Sequence, residues 1–310
     1  MNIKTLRMII FSGFILLSCC GLLFAQQDNS SSQDLSEWYP PSAGPITAWT
    51  APVSEKNQLL AQTFFYYTHT RGTFDAEGNS DSLPEGDRKY QYQQQLFLQY
   101  GLTDRLEISG QMAYLENFIE QSGEEAHAEG FGDTYLYSRY CFLDETKIFP
   151  QVTGIFQLKL PSGPYQKLEA EKLETDSFGT GSYEHGYGFV LTKRFKPFIF
   201  HADAIYSFPL VTKVDEVKTQ YGNSLAYDIG VEYFLPKGFN LLFELNGYTQ
   251  GDTKQDGDKI PANDSSYVLA VPGIGWSNDS IQTLLAYQRT IFGENTDAND
   301  SIVMTIIYNF

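Results

Sequence analysis

Read two residues at a time, much of the chain alternates. In SIVMTIIYNF, residues 301–310, Ile302, Met304, Ile306, Tyr308 and Phe310 share one face of an extended strand, and Ser301, Val303, Thr305, Ile307 and Asn309 share the other. In TDRLEISGQMAY, Leu106, Ile108, Met112 and Tyr114 oppose Arg105, Glu107, Ser109 and Gln111. Val152, Phe156, Leu158 and Leu160 oppose Thr153, Gln157 and Lys159; Phe198, Phe200, Ala202, Ala204 and Tyr206 oppose His201 and Asp203. Leu225, Tyr227, Ile229, Val231 and Tyr233 oppose Asp228 and Glu232. The polar sets must meet water or paired charge, since hydrocarbon satisfies neither. Apolar outside and polar inside is the order of a membrane barrel, the inverse of a soluble fold.

The pattern predicts strands near 57–70, 88–101, 104–116, 131–143, 147–160, 182–194, 197–208, 224–235, 239–250, 265–276, 280–290 and 301–310. Each is close to the length that a tilted strand needs to cross a bilayer. Strand 265–276 is ambiguous, because Pro272 removes one ladder donor. The links alternate: LTD, DET, FK, PKG and SND are short, whereas 71–87, 117–130, 161–181, 209–223, 251–264 and 291–300 are long. Greek-key crossovers give no such rhythm. The fold expected is all-β, a transmembrane up-and-down antiparallel barrel of about twelve strands with short periplasmic turns and long extracellular loops. The barrel then occupies residues 57–310.

The other end of the chain fits export. Lys4 and Arg7 precede an apolar run from Met8 to Ala25, the layout of a signal peptide removed after Ala25, so residues 1–25 are read as leader. LLSC, Leu16 to Cys19, offers the alternative of a lipidated Cys19. Residues 26–56, with DNSSS and YPPSAGP, are expected to form a loosely packed periplasmic lead-in. At the far end the last strand is expected to pair with the first. Ile306, Tyr308 and Phe310 resemble the closing signal that barrel-insertion machinery reads, with the aromatics at interface depth.

Composition narrows the chemistry. Net charge is −17, and the six long links hold 22 acidic residues against far fewer basic ones. Acidic loops stay solvated and disfavour nucleic acid; with divalent cations they can meet lipopolysaccharide in the outer membrane. Cys141 is the only cysteine beyond the leader, and the four histidines are not at ligand spacing, so no metal site or cofactor is expected. His201 and Asp203 share a face without a companion serine, so lipid hydrolysis has no complete constellation.

Two stretches, GFGDTYLYSRYCFL at 130–143 and QLKLPSGPY with FGTGSYEHGYGFVLTKRF and HADAIYSF over about 157–208, resemble a family of bacterial outer-membrane proteins named for the MetA-pathway of phenol degradation. The resemblance implies a transporter-like barrel and names no substrate. Ser162 stands where the family commonly has Thr, and 161–181 carries an inserted KLEAEKLET.

The function expected is a channel or facilitator for a small, hydrophobic or aromatic, unidentified permeant. A non-conducting surface, structural or adhesion barrel is the alternative, and a lipid-active enzyme a more distant one. The candidate lumen residues are Arg105, Glu107, Tyr135, Tyr137, Arg139, Lys159, His201, Asp203, Asp228, Glu232 and Glu244. Fixed charges of both signs can select a permeant or simply pair and fill the bore, and the tyrosines can serve as a stacking path or as packing.

Overall fold

The computed structural model describes residues 38, 40, 42, 44–166, 168–261 and 263–310; the expected leader lies outside them. Twelve strands form the wall: β1 (Leu59–Phe74), β2 (Arg88–Thr103), β3 (Leu106–Gln121), β4 (Thr134–Leu143), β5 (Gln151–Leu160), β6 (Glu184–Phe195), β7 (Phe198–Pro209), β8 (Ser224–Phe234), β9 (Phe239–Gln250), β10 (Ser265–Ser277), β11 (Ile281–Glu294) and β12 (Thr296–Asn309). Each runs antiparallel to the next, and β12 returns to β1 from Leu60↔Asn309 to Phe74↔Thr296. A closed sheet leaves no bare edge.

The alternation sorts side chains as expected. Ile302, Met304, Ile306 and Tyr308 point outward, whereas Val303 and Ile307 are buried inside. Phe189 is 64% and Leu285 50% exposed on the outer face. Transfer of each such side chain from water to lipid is worth roughly 1.5–3 kcal/mol. No described helix is long and apolar enough to cross a membrane.

At the short-turn rim the links are local devices. Asn278 Oδ1, for example, accepts the N–H groups of Ser280 and Ile281 before β11. Pro272 faces outward opposite Phe243, and pairing between β10 and β11 passes from Ala270↔Arg289 to Gly273↔Ala286 without Val271 or Pro272. The missing proline N–H accounts for that gap.

The long links differ from expectation. Residues 291–300 are not a loop: β11 runs to Glu294, β12 starts at Thr296, and Asn295 alone joins them in the left-handed region at φ 47°. Beyond Phe292 that stretch has almost no apolar residues, so alternation gave no sign of a strand. Residues 117–130 form a projecting hairpin in which Glu124–Phe131 pairs with the outer half of β3 around Ser122 and Gly123. Links 209–223 and 251–264 each contribute two short strands to a four-stranded sheet at the rim. In the first link, Asn79 donates from its side chain and backbone to Asp75 and holds that carboxyl below its ordinary range.

The largest correction concerns the lead-in. Residues 44–54 are not a loose periplasmic tail; they pass through the barrel interior, where Ile46, Ala48, Ala51 and Ser54 are buried. Ile46 and Ala51 join Phe64, Phe97, Tyr137, Leu284 and Val303 in an apolar belt around Trp49. A run such as PITAWTAPV costs too much exposed to water, and the bore is the place where it can pack.

Candidate permeation lumen

The segment inside the bore is held mainly by carboxylates. Glu244 on β9 accepts the backbone N–H groups of Ile46, Thr47 and Ala48 at 2.6, 3.0 and 3.0 Å, and the Thr47 hydroxyl at 2.7 Å. Three successive amides converging on one acid form an anion-holding nest. Asp203 on β7 accepts the Trp49 N–H at 2.8 Å. Glu107 on β3 takes the Ser54 N–H and hydroxyl at 2.7 and 2.9 Å. Glu232 on β8 accepts the Ser42 hydroxyl.

Arg139 on β4 completes the other half. It makes a bidentate pair with Glu107, both contacts at 2.9 Å, and donates to Thr50 O at 2.7 Å and Pro52 O at 3.2 Å. Its guanidinium also lies 5.1 Å from the Trp49 ring centroid. A planar fork with five donors suits this task, which a lysine could not reproduce. Of the two readings open for the inward charges, selecting a permeant or pairing across the bore, Arg139 takes the second: it is buried, paired and bonded to the inserted segment.

His201 sits in a relay. Ala51 N–H donates to Thr192 Oγ1 at 2.8 Å, His201 Nδ1 lies 3.1 Å from that hydroxyl, and His201 Nε2 lies 3.1 Å from a Glu232 carboxylate oxygen. Asp228 lies opposite Asp203 in the ladder and accepts from Asn246 at 2.8 Å. Lys159 pairs with Glu184 at 3.3 Å and donates to Thr180. Tyr135 and Tyr137 are stacked with centroids 6.2 Å apart, and Tyr137 packs 5.0 Å from Trp49. On β9 and β10, Tyr248 and Tyr267 stack at 5.4 Å.

Arg105 is the exception among the candidate lumen residues. It belongs to the turn before β3, where it bonds to Asp144 and Cys141 O at the exposed rim, so it lines no lumen. Strand period alone cannot tell the last turn residue from the first strand residue. Tyr308 and Phe310 lie outside as expected, with ring centroids 4.5 Å apart. Reading by faces missed Ser42, Ile46, Trp49 and Ser54, because the inserted segment has no period. The concentration of apolar residues in an otherwise polar stretch was the available signal.

Cavities lie at both rims. One of about 720 Å³ opens at the long-loop rim among Leu83, Lys89, Ile119, Leu168, Leu173 and Asp297. The other, about 260 Å³, lies at the short-turn rim between the inserted segment and the β1–β2 and β11–β12 walls, touching Pro52, Ser54, Leu60, Gln99, Gln282 and Ile307.

Among solved structures, the chain is similar to the COG4313 outer membrane channel from Pseudomonas putida F1, with TM-score 0.72 and 13% identity over 86% of this chain and 100% of that one. It is also similar to the NanC porin, with TM-score 0.50 and 10% identity over 81% of this chain and 100% of the other. At such identity the likeness shows a shared fold, that of outer-membrane barrels. By sequence, no curated protein matches. The family model described as putative MetA-pathway of phenol degradation matches residues 117–305, more than half of the chain, and the chain belongs to that family.

Proposed function

We propose that the protein is an outer-membrane channel for small molecules with substantial apolar or aromatic surface, closed in this structure by residues 44–54. The observation that carries this reading is the run of residues 44–54 through the bore, buried at Ile46, Ala51 and Ser54 and bonded to Glu244, Asp203, Glu107 and Arg139 of the wall, with cavities of about 720 and 260 Å³ at the two rims. Apart from the chain running on into β1, that segment is held to the wall by hydrogen bonds and packing. Removing it would leave a twelve-stranded bore of a size that admits water and small solutes. Stacked tyrosines on the loop side of Trp49 supply apolar faces with polar tips, the usual equipment for binding flat solutes. The similar fold of the P. putida protein, an outer membrane channel, supports the same reading.

One observation favours a second reading. The carboxylates of the wall are bonded to the segment that crosses the bore, which suits a barrel that conducts nothing. Reconstitution separates the two. Purified full-length barrel in planar bilayers is expected to show intermittent conductance, and a variant lacking residues 42–54 to show larger and steadier steps. Silence from both proteins, each shown to be folded by a heat-dependent shift in gel mobility, would remove the channel reading.

A further inference from the structure

The inner wall divides into two arcs of different chemistry. All the buried carboxylates and cations described above stand on β3 to β9, where they bind one another or residues 42–55. Across β11, β12, β1 and β2, among the described residues, the inner face between the short-turn rim and Lys89 holds no carboxylate, ammonium, guanidinium or imidazole. It holds amides, hydroxyls and apolar side chains.

Within that neutral arc β2 carries a row of glutamines on its inner face: Gln91, Gln93, Gln95 and Gln99, interrupted by Phe97. All four are half-buried, whereas the charged anchors Glu107, Arg139, Glu232 and Glu244 are almost fully buried. The glutamines therefore border open space inside the barrel. They also run through the level of the apolar belt, with Gln95 opposite Phe64 and Gln93 opposite Tyr66. An amide among Phe and Tyr rings is costly unless its bonds are met. Gln91 donates to Asn117 at 2.7 Å and Gln93 to Gln95 at 3.0 Å. Each carboxamide has two donors and two acceptor lone pairs, so most of the row's capacity points at the lumen. Gln99 borders the 260 Å³ cavity, and its ladder partner Ser109 is buried with no hydrogen-bond partner for Oγ. Leucine would pack better at these positions; glutamine adds hydrogen bonding without charge.

We infer that the β2 glutamine row is the selectivity edge of the passage, and that its permeants are uncharged molecules with an apolar body and hydrogen-bonding hydroxyl or amide groups. This rests on the channel reading and deepens it. Once the inserted segment withdraws, the body slides on Phe64, Tyr66 and Phe97 while hydroxyls pass from one amide to the next, each able to donate or accept. An ion on the same course would shed water and meet no countercharge, at a cost that neutral amides do not offset.

The test uses full-length barrel in liposomes with two probes that share a ring and differ at one group: phenyl glucoside, which is uncharged, and phenyl glucuronide, which carries a carboxylate. Glucoside is expected to enter at least roughly fivefold faster, the scale of one amide hydrogen bond. Q93L combined with Q95L should cut glucoside entry by at least roughly fivefold while the heat-dependent gel shift stays intact. If that pair does not fold, Q99L at the wider rim is expected to produce the same loss. Equal entry of both probes, or an unchanged rate in the folded leucine variants, would overturn the selectivity edge and leave the channel standing. Entry of neither probe, through the full chain or a variant lacking residues 42–54, would overturn both.

Discussion

Arg139 shows how far a single residue could be read from its neighbours in sequence. Its inward direction followed from strand period, and Glu107, one ladder step away on β3, followed with it. What period could not supply was the third party, Thr50 and Pro52, whose carbonyls take the remaining guanidinium donors. Arg139→Ala is expected to strand Glu107 in a buried site and to destabilise the barrel by about 3–5 kcal/mol. The temperature of the gel-mobility shift should fall, and Trp49 emission should move toward that of a more solvated indole. Arg139→Lys should recover only part of the loss, because an ammonium cannot form the fork and reach two carbonyls together. Unchanged stability in both variants would show that the pair contributes nothing net. The same distinction applies to Glu244 and Asp203: their placement was legible, whereas their backbone partners belong to a stretch without alternation.

At the scale of elements, the barrel was legible because lipid enforces a strict period on the outer face of every strand. Where that constraint ends, so does the signal. Toward the long-loop rim, β11 and β12 continue through FGE and TDAND without apolar alternation, and the expected ten-residue loop is one residue, Asn295. The tight link depends on its left-handed backbone, on its N–H to Asp75 O at 3.1 Å and on its side chain to Asp264 O at 2.8 Å. Asn295→Val is expected to cost about 1–2 kcal/mol for the conformation alone, while Asn295→Gly should keep the turn and lose only the side-chain bond. Amide exchange at residues 294–296 distinguishes these outcomes. Equal protection in wild type and the valine variant would show that the link is not under this constraint. The hairpin at 117–131 escaped notice for a related reason, since Ser122–Gly123 reads as a generic turn within a polar stretch.

For the whole molecule, the decisive feature is that the interior has a charge surplus answered by neutral groups. Glu107, Glu184, Asp203, Asp228, Glu232 and Glu244 outnumber Arg139 and Lys159, and the excess is met largely by N–H and O–H donors of residues 42–54. Removing that segment should therefore do more than widen the bore. Water must enter to solvate the freed acids, and an ion passing through then meets a wall of net negative charge on one arc and a neutral wall on the other. Such a pore favours cations. In a potassium chloride gradient, the variant lacking residues 42–54 is expected to show a reversal potential on the cation-selective side. Adding Asp203→Asn and Glu244→Gln should move that potential toward zero without closing the pore. Because exposed charges are screened, the preference should weaken as salt rises toward 1 M, where the Debye length is about 3 Å. An anion-selective or unselective pore at low salt would mean that the freed acids pair with Arg139, Lys159 and one another instead of facing the water, and that the inserted segment closes the bore by bulk alone.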